Sequence, residues 1–257
     1  MNNKVKIGSI ILFTTIIGII VVLSFVIKKN DNTTIKFIEL KGNYHLSQNE
    51  YMNYAHLDNH DEYSVLSSKL IKDRLDKHPY IKSVDVILSE GILNIEIFEK
   101  NFVSLLMANG KEYLISDEAV VIPKLQNSEM IDFPIISEPS KASEITEFSK
   151  AILNSDVKIG LKIIAAIKII NPKLYKSLSE VNLRDGKDII LQFSSLNIPI
   201  VVGRNNEIEK IVLFEKLMQK LDYSKIESTL SYIDLRYSKY LYVGKSNEKN
   251  SEQDSNS

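Results

Sequence analysis

The chain has 257 residues, with 32 basic and 33 acidic side chains and no cysteine. That length accommodates one membrane anchor and two domains, each large enough for its own core. A balanced charge without a basic patch among aromatics excludes nucleic acid as a partner, and the lack of cysteine excludes a disulfide framework or a thiolate metal site.

Residues 7–27 carry no charge and include fifteen Ile, Leu, Val or Phe. At about 1.5 Å per residue such a helix spans roughly 30 Å, the thickness of bilayer hydrocarbon, and its transfer favours the membrane by several kcal/mol. The run exceeds the ~7–15 apolar residues of a signal peptide, and Lys28-Lys29-Asn30-Asp31 follows it in place of a small-residue cleavage site. It predicts a single uncleaved transmembrane helix. Lys4 and Lys6 before it are matched by Lys28 and Lys29 after it, so flanking charge does not choose the orientation. Residues 28–34 read as a polar linker.

Residues 35–100 read as one small unit ordered strand, helix, helix, strand, strand. Ile38 and Leu40 alternate with Phe37, Glu39 and Lys41, and Gly42-Asn43 ends that strand. Ser47 to Glu50 has capping-box spacing for a short first helix. Leu66, Leu70, Ile71 and Leu75 recur at helical spacing before Pro79, predicting a second helix with one apolar stripe. Val84, Val86 and Leu88, then Leu93, Ile95 and Ile97, alternate with other residues around Ser89-Glu90-Gly91, as in a hairpin with one apolar face.

Residues 101–243 change to hairpins mixed with helices. Phe102 to Ala108 and Lys111 to Ile115 flank Asn109-Gly110, a type I′ turn pair. Ala119 to Ile122 follows, closed by Pro123. Ser143 to Leu153 and Lys158 to Ile170 read as helices, the second ended by Asn171-Pro172. Val181 to Arg184, Ile189 to Phe193 and Ile198 to Val202 read as strands, Ile208 to Leu221 as a helix, and Leu230 to Arg236 and Tyr240 to Val243 as the final strands. The pattern predicts an α+β domain built on an antiparallel sheet. Residues 244–257 hold no apolar side chain except glycine, which predicts a disordered tail.

His56 and His60, with Asp58 and Asp61 nearby, have a spacing that places two imidazoles on one helix face, but the segment lacks helical periodicity and reads as a solvated loop. No phosphate loop, nucleophile elbow or His-Glu-x-x-His run occurs. The sequence therefore assigns no catalytic, cofactor-binding or metal residue, no cofactor, and no small-molecule substrate. The sharper feature is the terminal Tyr232 to Val243. A last strand at a sheet edge offers unpaired N–H and C=O groups to a strand from another chain, and tyrosines are enriched at interfaces. Tyr237, Tyr240, Leu241, Tyr242 and Val243 are the candidate partner-binding residues, with Asp234 and Arg236 supporting the edge. Tyrosine also simply suits strands, and residues alone leave the two readings even.

The element order of residues 35–100, with the run Leu75-Asp76-Lys77-His78-Pro79-Tyr80-Ile81-Lys82-Ser83-Val84-Asp85-Val86, resembles the POTRA domain, a protein-docking module of β-α-α-β-β order. Ile233-Asp234-Leu235-Arg236-Tyr237 matches the closing Ile-Asp-Leu-Arg-aromatic pattern of the FtsQ/DivIB family of bacterial cell-division proteins. Val201-Val202-Gly203 before the helix from Ile208 is similar to that family's strand-glycine-helix passage. The likeness covers residues 7–243. Two departures stand out: Glu99-Lys100-Asn101-Phe102 replaces the family's Glu-Arg-x-Pro, and Asp117-Glu118-Ala119 lacks its usual glycine. The resemblance implies residues 1–6 in the cytoplasm, an anchor in the inner membrane, and the bulk of the chain outside the cytoplasm at the division septum. It implies a non-catalytic divisome scaffold that binds FtsB- and FtsL-type partners, meets other division proteins through its POTRA domain, and helps control septal peptidoglycan synthesis. The alternatives are a POTRA protein of envelope translocation or outer-membrane assembly, which needs a C-terminal β-barrel, and a membrane-anchored envelope enzyme, which needs a cluster of acid-base or nucleophilic residues.

Overall fold

The computed structural model describes residues 12–21, 35–58, 66–128, 132–220, 230–237 and 242–245. The rest of the expected span 7–27, the linker 28–34, His60 and Asp61, and residues 246–257 of the expected tail lie outside them. Residues 12–21 are helical (α1). Among the described residues no helix is long and apolar enough to cross a membrane. The chain is mixed α+β and divides into two compact units, one containing Ser47–Phe98 and the other containing Tyr44–Leu46 together with the chain from Glu99 onward.

The first unit orders β1 (Phe37–Lys41), α2 (Gln48–Tyr54), α3 (Ser68–Leu75), β2 (Ile81–Ser89) and β3 (Ile92–Glu99), with sheet order β1-β3-β2 and β1 parallel to β3. Gly42 ends β1 at φ +84°, and a Cβ there would stand 2.0 Å from the Ile97 carbonyl oxygen, so only glycine fits. The Ser47 hydroxyl accepts from the Glu50 N–H while the Glu50 carboxylate accepts from the Ser47 N–H, completing the capping box of α2. Leu93, Ile95 and Ile97 are buried and alternate with exposed Asn94, Glu96 and Phe98, and this face forms the core with Tyr51, Ile71 and Leu75. Leu70 departs from the expected apolar stripe: it is 40% exposed. It lies one position before Ile71, so a helix that buries Ile71 and Leu75 turns Leu70 about 100° aside.

The second unit adds β4 (Phe102–Ala108), β5 (Lys111–Ser116), β6 (Val121–Pro123), β7 (Ile135–Ser137), α4 (Ser155–Ile170), α5 (Pro172–Ser177), β8 (Leu178–Asn182), β9 (Ile190–Phe193), β10 (Leu196–Val201), α6 (Glu207–Lys220), β11 (Leu230–Asp234) and β12 (Tyr242–Lys245). Among the described residues the sheet runs β12-β11-β10-β9-β8-β7-β4-β5-β6. It is mixed, where an antiparallel sheet was expected: β4–β7, β7–β8 and β10–β11 are parallel. Parallel neighbours need crossovers, and the β10–β11 connection contains α6 while the β7–β8 connection contains α4 and α5. The core joins buried Val157, Ile163 and Ile167 of α4 and Ile211 and Phe214 of α6 to the sheet, with Phe193 stacked on Phe214 at 5.8 Å. Gly160 lets α4 approach β7, since a Cβ there would meet Ile136 at 3.1 Å.

Three local readings change. The helix expected over Ser143 to Leu153 is two 3₁₀ turns, Ala142–Glu144 and Ala151–Leu153, because the strip between them hydrogen-bonds to the chain at β6. Asn171-Pro172 ends α4 and also starts α5: the Asn171 side chain accepts from the N–H groups of Lys173 and Leu174, and the proline occupies the first turn, where no N–H is needed. The last strand reaches Lys245, two residues past Val243.

Candidate partner-docking edge

The two ends of the large sheet differ. At β6, Val121 donates to the Ser149 carbonyl at 2.9 Å and accepts from Phe148 at 2.7 Å, while Pro123 has no N–H to offer. That end is blocked by its own chain. At the other end β12 pairs antiparallel with β11, and among the described residues no strand lies beyond it.

Registers carry rows of side chains outward to β12. Ile200 faces Ile233, which faces Val243; Val201 faces Asp234, which faces Tyr242. Along the apolar row exposure rises from 0% at Ile200 and 1% at Ile233 to 42% at Val243, so the row runs off the edge with its last member uncovered. Tyr242 and Tyr237 are also half exposed and pack edge-to-face at 5.0 Å. Tyr240 and Leu241 lie outside the described residues. Gly244 belongs to the strand because the Tyr232 ring occupies the space of a side chain, with Cε1 2.2 Å from where a Cβ would be.

Behind this edge sits a polar bracket. The Arg236 guanidinium donates to both carboxylate oxygens of Asp234, with contacts of 2.6 to 3.0 Å, and to Asp188 at 2.8 Å. The Arg236 N–H adds a bond to Asp234 at 2.9 Å. These hydrogen bonds lower the Asp234 pKa although burial opposes them, and the charges of Arg236 and Lys210 lower it further; in return Asp234 and Asp188 hold the guanidinium firmly protonated. Lys210 is buried on α6 and donates to the carbonyls of Val202 and Arg204 at 3.0 and 3.2 Å. Gly203, at φ +68°, gives room to the arginine stem: a Cβ there would stand 2.7 Å from Arg236 Cγ. The neighbouring Arg204 ties this loop to α4 through Asp156 at 2.6 Å. Burial alone would raise the Asp156 pKa, but hydrogen bonds from Arg204 and Ser140 outweigh it and the net shift is downward.

The run Ile233-Asp234-Leu235-Arg236-Tyr237 thus has a physical division of labour. Ile233 and Leu235 enter the core, Asp234 and Arg236 form the bracket, and Tyr237 faces solvent. Asp188, Gly203, Lys210 and Gly244 complete the arrangement without having been singled out as site residues. Two of them left a signal: Gly203 stands in the strand-glycine-helix passage, and Lys210 interrupts the apolar stripe of α6. His56, φ +54°, follows the end of α2 and is exposed. Among the described residues no group of three His, Cys, Asp or Glu is placed to hold a metal ion.

A mixed α+β chain whose large sheet carries Ile233-Asp234 at the end of its penultimate strand, with Leu235-Arg236-Tyr237 directly after it, is the class that the fold and the edge define. Residues 105–236, just over half of the chain, match the family model for the cell division protein FtsQ/DivIB, C-terminal. The chain belongs to the FtsQ/DivIB family of cell-division proteins. No curated protein matches it.

Proposed function

We propose that the chain is a non-catalytic divisome scaffold. Residues 7–27 anchor it once in the inner membrane, residues 1–6 stay in the cytoplasm, and the remainder stands outside the cytoplasm at the septum. Residues 35–100 serve as a POTRA domain for other division proteins, and residues 101–243 hold the FtsB- and FtsL-type partners. In that way the protein links early and late division proteins and helps to control septal peptidoglycan synthesis.

Binding proceeds by strand addition. A segment of the FtsB-type partner lies along β12 and pairs with its free backbone groups, while its side chains continue the Ile200-Ile233-Val243 row on one face and meet Tyr242 on the other. Tyr237, Tyr240 and Leu241 complete the contact surface, and Asp234 with Arg236 holds β11 so that β12 stays presented. The observation that supports this most is the asymmetry of the sheet ends, one closed by loop hydrogen bonds and a proline, the other carrying an apolar row that ends half exposed. Interface tyrosines often cost about 2 kcal/mol when truncated, so Tyr242→Ala weakens the partner by roughly thirtyfold. Titration of the chain against a soluble FtsB-type fragment reads this directly. Unchanged affinity removes the tyrosine from the interface.

A further inference from the structure

We propose that a groove along α4 is a second docking site, which takes an acidic amphipathic helix from a protein partner. The groove, a cavity of about 430 Å³, runs between the outer face of α4, the end of the β4–β5 hairpin and α5. It belongs wholly to the second unit and shares no lining residue with the β12 edge.

Its apolar lining includes Val103 of β4, Leu161 and Ala165 of α4, and Ile152 from the preceding 3₁₀ turn. Ile152 is 47% exposed, a branched apolar side chain left in water by the folded chain. Lys158, Lys162 and Lys168 also line the groove, against one carboxylate, Asp117. Among the described residues none of these three lysines forms an ion pair; Lys168 instead lies 5.4 Å over the Tyr175 ring. Burial first, and then the charge of Asp132, raise the pKa of the Tyr175 phenol, which therefore remains a neutral hydrogen-bond donor at that end.

Charge and shape together choose the occupant. Three lysines beside an apolar floor complement a ligand that is apolar in the middle and acidic at its margins. Because the floor is recessed, it receives side chains that project into it, whereas a lipid surface is met by apolar side chains that protrude. Lys158 and Lys168 are ten residues apart on one helix, roughly 15 Å, which a partner helix of about three turns spans. Such a helix presents anchors at i, i+3 or i+4 and i+7 to the groove and Glu or Asp to the lysines.

The test uses the full chain in nanodiscs of zwitterionic lipid. The probe is a fluorescein-labelled 14-residue peptide with Leu on one helical face and Glu on the other, read by anisotropy beside the same peptide with Lys for each Glu. The expected result is at least tenfold tighter binding of the acidic peptide. Combining Lys158→Glu, Lys162→Glu and Lys168→Glu, all on exposed positions, inverts that preference, and Ala165→Trp, which fills the groove, abolishes binding while circular dichroism stays at the parent spectrum. Equal binding or no binding of the two peptides by the parent overturns the proposal, as does a preference that survives the triple reversal. Vesicles of anionic phosphatidylglycerol that bind the parent, lose the triple variant and displace the peptide overturn it in favour of a lipid surface.

Discussion

Gly203→Ala tests whether the bracket behind β12 depends on backbone room at one residue. Alanine at φ +68° costs roughly 1–2 kcal/mol in backbone strain. The new Cβ would also stand 2.7 Å from Arg236 Cγ, 3.4 Å from Arg236 Cδ and 3.5 Å from Asp188 Oδ1. Carbon contacts are comfortable near 3.5–4.0 Å, so the arginine stem must move by about an ångström, which unseats its guanidinium from Asp234 and Asp188. Overpacking of this kind costs about 1–3 kcal/mol, for a total of roughly 2–5 kcal/mol. Gly110→Ala supplies the control, since φ there is +71° and nothing lies within 4 Å of the added Cβ. Urea denaturation of the three proteins separates the terms: Gly203→Ala loses at least about 1 kcal/mol more than Gly110→Ala. In an Arg236→Ala background that excess disappears, because the clashing stem is gone. Equal losses at the two glycines, or an excess that persists without Arg236, refute the reasoning.

Acid should expose the same bracket. Asp234 and Asp156 both have lowered pKa values, by hydrogen bonds from Arg236 in one case and from Arg204 and Ser140, against burial, in the other. Between their folded values and about pH 4 the unfolded chain therefore binds more protons, and the stability these groups supply is full above that window and is lost as pH falls through their folded values. A variant carrying Asp234→Asn and Asp156→Asn has a shallower acid slope of melting temperature than the parent; an identical slope contradicts the pairing. Ala119 holds φ +57° in the turn where the family pattern has glycine, so Ala119→Gly relieves strain of roughly 1–2 kcal/mol against up to about 1 kcal/mol of added unfolded-state entropy. Its stability by urea denaturation is equal to or above the parent's, and a loss above about 1 kcal/mol contradicts the strain.

Local chemistry makes much of the fold legible in the sequence. Period-two burial in β3, the Ser47–Glu50 box and the Asn109-Gly110 turn, with φ of +55° and +71°, are decided by residues within a few positions of each other. What stayed hidden is decided at long range. β7 is three residues long and is a strand because β4 and β8 flank it. The strip between the two 3₁₀ turns leaves a helical pattern because the edge at β6 takes its hydrogen bonds. The terminal motif showed a similar split. Asp234 and Arg236 are two residues apart and their pairing could be read in the sequence, whereas Asp188 arrives from 48 positions away. Gly244 read as the start of a polar tail, since nothing local tells that the Tyr232 ring will cover it.

Hydrogen–deuterium exchange on the chain with and without a soluble FtsB-type fragment tests strand addition most directly, because it reads the backbone groups that a new strand would pair. The account predicts slowed exchange of outward-facing amides in β12, residues 242–245, on adding the fragment, with no change at Val121 and Ile122 in the closed edge. Protection that appears elsewhere while β12 exchanges as in the free chain would contradict docking by backbone pairing at this edge.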